Sequence, residues 1–325
     1  MFHYHPRPVR AAVVTNPAAG RNRQDPAIER ALARHPGIPR LVYRGGGELG
    51  AEVASLAAQG ATDLIVDGGD GTVSAVTSAV LRLPPNVARP RLVLLPSGTT
   101  NLVALRLGVT TARVHAIDRI LKTPAEALRA STVWQSPLQI EREGESEVLH
   151  GFLFGAAAFL DGTLLTRRRV NAIGLTRQLG IVGGIAANVF HATCGRGRTA
   201  FLGGAPITVQ VDGSLLPGDR QFLLLLTALD RLLPWLSPFW GDGDGLIRWL
   251  NVGAPASGLI RALPRVLRGR PAPWMEASGY RSGRAGRIKL RTHRPFVLDG
   301  EVVQPGPMGC VTVRPGPPIA FLRLS

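Results

Sequence analysis

The chain has 325 residues, 45% of them hydrophobic, and a mean hydropathy of +0.12, which excludes a disordered chain and suffices for two domains of ordinary size. Its formal charge of +16 and pI near 11.5 call for an anionic partner: nucleic acid, an acidic membrane surface or a phosphorylated substrate. Arginine carries nearly all of that charge, since Lys122 and Lys289 are the only lysines. Cys194 and Cys310 lie far apart in no metal-ligand spacing, which fits reduced thiols in a cytosolic protein. The N-terminus lacks a signal-peptide core, and no apolar stretch reaches the length of a spanning helix. The expectation is a soluble or surface-bound protein.

Residues 10–15 read as a first strand, broken by Asn16-Pro17-Ala18-Ala19-Gly20, with Arg21 and Arg23 placed to face phosphate oxygens. A helix over 26–34, a short strand over 41–43, a glycine run at 45–47 and a helix over 48–59 follow. The stretch 62–79 is the most informative. Leu64, Ile65 and Val66 form a buried strand, which turns through Gly68, Gly69, Asp70 and Gly71 into a helix that Thr72 is suited to start. Strand, glycine turn and helix N-terminus together present backbone N–H groups and a positive dipole end, an anion site that phosphate commonly fills. Asp70 would be repelled by phosphate unless a metal ion intervenes or the carboxylate handles a proton, so the turn points to phosphoryl transfer. The spacing matches neither the dinucleotide fingerprint nor the P-loop, which needs a lysine after its glycines.

A fourth strand over 91–95 ends at Pro96-Ser97-Gly98-Thr99-Thr100-Asn101, and residues 112–122 make a helix. Strands alternating with helices predict a parallel α/β sheet whose carboxyl ends share one edge, where ligands bind. From about residue 131 strand-like pieces dominate, with Asp212-Gly213 the clearest hairpin signal. Helical segments near 164–179 and 181–191 interrupt them. The expected organisation is a nucleotide-binding α/β domain over 1–130, joined by 314–325, and a β-rich lipid-binding domain over 131–313.

Between residues 261 and 294 arginine is dense and Glu276 is the only acid, with Leu259, Ile260, Leu263, Val266, Leu267 and Trp274 interleaved. Read blandly, this is a solvated basic face; read functionally, it docks on an anionic bilayer. No aromatic platform or recognised module accompanies the charge, which argues against nucleic acid. The seven histidines form no zinc pattern, and Pro96-Ser97-Gly98 is not a hydrolase elbow.

In order along the chain, NPAAG (Asn16–Gly20), GGDGT (Gly68–Thr72), PSGTTN (Pro96–Asn101), Asp244-Gly245 and LDGE (Leu298–Glu301) resemble the diacylglycerol kinase catalytic family. That family includes bacterial soluble lipid kinases and the sphingosine and ceramide kinases. The resemblance implies an N-terminal domain like that of NAD kinase and a β-sandwich C-terminal domain, with the site in the cleft between them. It also implies ATP and Mg²⁺ as cofactors and a lipid hydroxyl as acceptor, at the inner face of the cytoplasmic membrane. Asn16, Pro17, Ala18, Ala19 and Gly20 would hold ATP phosphates. Gly68, Gly69, Asp70, Gly71, Thr72, Val73 and Ser74 would wrap the triphosphate, and Thr99 would contact the nucleotide. Glu301 would accept the proton of the lipid hydroxyl with Asp299 beside it, and Asp70 is its rival or metal-side partner. Asp244 would join the carbonyls of Gly241 and Leu246 in a structural Mg²⁺ site. Departures from the family pattern include Leu102 where aspartate is common, Asp67 before GGDGT, and Ser74 in place of asparagine. The alternatives are a kinase for a soluble acceptor such as NAD and a non-catalytic nucleotide- or lipid-binding regulator. The sequence permits a homodimer without specifying one.

Overall fold

The computed structural model describes residues 10–22, 27–45, 49–98, 101–108, 113–164, 202–233 and 236–323. The expected helices near 164–179 and 181–191 fall almost wholly outside these residues, as do Arg23, Thr99 and Cys194. Contacts divide the chain into two units, Met1–Ser136 with Pro317–Ser325, and Pro137–Gly316.

Unit 1 is built on a six-stranded sheet. In chain order its strands are β1 (Ala11–Thr15), β2 (Arg40–Val42), β3 (Asp63–Gly68), β4 (Arg91–Pro96) and β5 (Thr132–Gln135), and β19 (Ile319–Leu322) completes it. The spatial order is β2-β1-β3-β4-β19-β5, parallel except where β19 meets β5. The helices are α1 (Ala27–Ala33), α2 (Gly50–Ala58), α3 (Asp70–Leu81), α4 (Leu102–Leu107), α5 (Arg113–Lys122) and α6 (Ala125–Ala130). Strand side chains alternate between faces, and both faces are apolar because both are covered. Val13, Ile65, Val93 and Leu95 pack with Ile28, Ala31, Ile117, Ile120 and Leu128 of α1, α5 and α6. Val14, Leu64, Val66 and Leu94 face the other way and are fully buried, on the side of α2 and α3. The three crossovers at β1, β3 and β4 therefore bring the loops after these strands to one edge of the sheet.

Unit 2 is antiparallel throughout its described pairings. One sheet runs β11-β10-β15-β18-β6-β7 and the other β14-β13-β12-β8-β16-β17. Their strands are β6 (Leu138–Arg142), β7 (Leu149–Gly151), β8 (Leu153–Ala157), β10 (Thr208–Val211), β11 (Ser214–Leu215), β12 (Arg220–Thr227), β13 (Ile247–Gly253), β14 (Tyr280–Ala285), β15 (Ile288–Arg291), β16 (Phe296–Leu298), β17 (Glu301–Val303) and β18 (Cys310–Pro315), while a short β9 (Ala205–Pro206) pairs with β12. One core joins both sheets, with Leu138, Ile140, Val209, Ile288, Leu290, Val311 and Val313 from the first and Phe154, Leu224, Leu226, Ile247 and Phe296 from the second. This is a β-sandwich. Two helices follow β13: α7 (Leu259–Leu267) and α8 (Pro273–Ala277).

One expectation needs correcting. The second unit begins at Pro137 rather than at 131, since residues 132–140 form two strands and not one. Ser136 and Pro137 break the run, leaving β5 in the sheet of unit 1 and β6 in unit 2. Proline cannot donate to a ladder, so a strand continuing through 137 would lose a bond. Cys310 is a buried free thiol, and no helix among the described residues is long and apolar enough to cross a membrane.

Candidate active site

The loops after β1, β3 and β4 are tied to one another by name. The Asn16 backbone N–H donates to the Asp67 carbonyl (2.9 Å), and its side-chain amide donates to the Thr72 hydroxyl (3.0 Å). Its side-chain oxygen accepts the Ala18 N–H (2.9 Å), which closes the Asn16–Gly20 bend. Arg21 donates from its backbone to the Ser97 carbonyl (2.9 Å) and from its guanidinium to the Pro96 carbonyl (3.3 Å). The loops after β3 and β4 meet closely at two glycines. A Cβ on Gly69 would lie 3.1 Å from the Gly98 Cα, and a Cβ on Gly98 would overlap the Gly69 Cα outright. Gly98→Ala is therefore expected to cost about 1–3 kcal/mol of stability and to weaken nucleotide affinity more than it moves any distant property. Urea denaturation and ATP titration of the variant check this; unchanged ATP affinity would refute the role given to this contact.

At the junction stands the N-terminus of α3. Gly69 holds its N-cap position in an extended conformation, and no side chain caps it. The first-turn N–H groups and the positive dipole end are left for another partner. Gly68 closes β3, and Gly71 and Thr72 lie in the first turn of α3. Val73 and Ser74 are buried, and the Ser74 hydroxyl donates back to the Asp70 carbonyl (3.1 Å). Thr99 lies outside the described residues.

The residue that organises these loops is Asp67, which sequence reasoning noted only as unusual. It is 1% exposed. Its carboxylate accepts from the Thr15 hydroxyl (3.1 Å), the Asn22 amide (2.8 Å), the Ser97 hydroxyl and the Arg113 guanidinium (2.9 Å). Those donors come from the end of β1, the loop after it, the loop after β4 and the start of α5. Arg113 also donates to the Asn22 side-chain oxygen. A buried carboxylate without such donors would be untenable. The available signal was a charged residue closing an apolar strand, which demands a partner the sequence cannot locate. A second buried pair, Asp63 with Arg91 (2.8 Å), sits at the opposite end of β3 and β4 and holds no loop of the site.

Asp70 ties α3 to α4. Its two oxygens accept the Leu102 and Val103 N–H groups (3.1 Å each), at the N-terminus of α4. Loss of water around the carboxyl pushes its pKa above the ordinary 3.8, and the N–H groups of Val103, Leu102 and Asn101 pull downward without cancelling that. Because the native state then holds the proton more tightly than the unfolded chain, stability falls as pH rises from 3.8 through the raised native value. Asp70→Asn removes this titration. The wild type is expected to lose stability relative to Asp70→Asn as pH rises above 3.8 in urea denaturation; parallel curves would contradict a raised native pKa.

LDGE is a two-residue hairpin joining β16 to β17, with Leu298 paired to Glu301 and positive φ at Asp299 (48°) and Gly300 (86°), which is the type I′ pattern that Asp-Gly favours. The Asp299 carboxylate is buried and accepts the Phe152 and Leu153 N–H groups (2.8 Å each) between β7 and β8. Glu301 is exposed. Among the three carboxylates considered for proton transfer, Asp70 and Asp299 are each held by two backbone N–H groups.

The loop expected to hold a structural metal carries Gly241 (φ 81°) and Gly243 (φ 144°) and packs on β14. Asp244 and Leu246 are exposed. The Arg284 guanidinium donates to the Gly245 carbonyl between them (3.0 Å), and the Arg284 N–H donates to the Asp242 carbonyl. A hard dication wants six or more oxygens. Here two exposed carboxylates, Asp242 and Asp244, stand beside the Arg284 guanidinium, and no cluster of three metal-ligating side chains exists among the described residues. The residues that would hold the ion are Asp244 with the Gly241 and Leu246 carbonyls, and no step is assigned to a metal there.

Residues 10–133 match the family described as the diacylglycerol kinase catalytic domain, which bears out the resemblance carried by the motifs. A diacylglycerol kinase from Bacillus anthracis str. Sterne is similar in structure over 96% of each chain, with TM-score 0.57 and 17% identity. Two further structures from that organism, provisionally named as diacylglycerol kinases, give TM-scores of 0.61 at 18% identity over 96% and 97% of each chain. These likenesses show the shared fold. No curated protein matches the chain.

Proposed function

We propose that the chain is an ATP-dependent lipid kinase that transfers the γ-phosphate to a hydroxyl of diacylglycerol or a related lipid at a membrane surface. The observation that carries this reading is the convergence of three strand-end loops on the uncapped N-terminus of α3, in the stretch matched to a kinase catalytic domain. The first-turn N–H groups of α3 fit the triphosphate, since no side chain caps them, and the Asn16–Gly20 bend is held beside them by the Asn16–Thr72 hydrogen bond. Mg²⁺, when bound with ATP, would offset phosphate charge. The acceptor oxygen forms a bond to the γ-phosphorus as the bond to the ADP oxygen breaks, and the acceptor proton passes to a carboxylate. Glu301 takes that proton in this reading, the role the family resemblance gives it, while Asp70 and Asp299 each accept two backbone N–H groups.

The GGDGT turn also favours a second reading, since NAD kinases share it. An ATP-consumption screen in mixed micelles with diacylglycerol, sphingoid base, phosphatidylglycerol and NAD separates the two. Lipid-dependent turnover is expected. Turnover with NAD alone would replace the lipid reading, and none with any acceptor would leave a binding protein.

A further inference from the structure

From the surface of unit 2 we infer a docking element for an anionic bilayer, the helix α7 with the turn that ends it. This deepens the lipid-kinase reading, which gives the reason to choose a bilayer, but it stands on its own observations. Ala262 and Val266 are buried, and Leu259, Leu263 and Leu267 are half-buried, so one face of α7 packs on the unit. The opposite face presents Ile260, Arg261, Pro264, Arg265 and Arg268, all exposed. Spacings of three and four residues make them one stripe.

The end of the helix is fixed. Arg270 N–H donates to the Arg265 carbonyl (2.9 Å) and Gly269 N–H to the Val266 carbonyl (3.0 Å), a Schellman closure with Gly269 at φ 61°. It extends the stripe to Arg270 and Pro271, both exposed. Arg261 lies over the Trp274 ring at 4.8 Å and is held there by cation–π attraction.

Two features select the partner. Arg34, Arg40, Arg91, Arg113, Arg142, Arg294 and Arg314 pair with carboxylates. Among the described residues, Arg261, Arg265, Arg268 and Arg270 pair with none, and Glu276 is the only acid between 261 and 294. The second feature is Ile260, which is 62% exposed at the margin of this basic stripe. A rigid helix with arginines outward and an aliphatic side chain among them suits the headgroup layer, where guanidinium meets lipid phosphate and Ile260 enters the acyl boundary. A nucleic acid would want exposed rings for stacking, and here Trp274 is half-buried beneath Arg261 and the Tyr280 ring that meets it is buried.

The test is co-sedimentation of the full chain with vesicles of phosphatidylcholine alone and of phosphatidylcholine with phosphatidylglycerol. Wild type should bind the anionic vesicles only, and lose them at high salt. Arg261→Gln/Arg265→Gln/Arg268→Gln should weaken binding about a hundredfold, Ile260→Ser by a smaller factor, and Arg287→Gln/Arg291→Gln by less than about twofold. Thermal unfolding confirms that each variant folds. Turnover on a water-soluble short-chain diacylglycerol should survive in the triple variant, so loss of vesicle binding and failure of the kinase reading are seen separately. Wild-type binding by the triple variant would overturn the inference, as would absent wild-type binding to anionic vesicles. So would a triple variant that loses duplex DNA but keeps vesicles.

Discussion

Asp67→Leu is expected to destabilise the protein by about 3–5 kcal/mol, the usual consequence of removing one partner from a buried ion pair. Arg113 would be left charged in the interior of unit 1, where its Nε and Nη1 already have no hydrogen-bond partner among the described residues. Thr15, Asn22 and Ser97 would lose their common acceptor at the same time, and each orphaned donor adds to the cost. Nucleotide affinity should fall with stability, because the loop carrying Asn16 and Asn22 is held through this carboxylate. Asp67→Leu with Arg113→Met should recover much of the loss, since an apolar pair of similar size restores a dry contact without a stranded charge. Denaturant unfolding of the four proteins in a double-mutant cycle reads the coupling. A single variant within about 1 kcal/mol of wild type would show that Asp67 is not the organising group.

The second large effect belongs to Glu301. Glu301→Gln keeps the size and the exposed position on β17 but removes the proton acceptor. Turnover should drop by about 10²–10⁴, while ATP affinity and unfolding temperature stay as they were. Asp299→Asn should behave in the opposite sense. Its carboxylate holds the Phe152 and Leu153 N–H groups in a buried site, so the cost is expected in stability, about 1–3 kcal/mol, with activity falling only as folding does. Full activity in Glu301→Gln would move the base to another carboxylate.

The periodic parts of the chain were legible because local physics fixes them. The apolar run at 64–66 and the glycine turn predict a strand and a helix, and the structure has Asp63–Gly68 and Asp70–Leu81. The division of Thr132–Ile140 between two sheets was less legible, since both halves are strand-like and only Pro137 marks the break. What could not be read were the partners of polar groups. Asp67 and Arg113 are 46 residues apart, and nothing in either neighbourhood names the other. Asp70 and Asp299 look in the sequence like open carboxylates on glycine turns. Their donors are main-chain N–H groups 32 and 147 residues away, which carry no residue signature at all. The basic stripe was visible as composition, but the face it presents depends on Ala262 and Val266 packing inward.

Hydrogen exchange with and without Mg²⁺ and ATP tests the central claim most directly. Protection is expected at the amides of residues 16–22 and 68–74. Exchange at those two loops that ignores ATP would contradict the assignment of a triphosphate to the carboxyl edge of the parallel sheet.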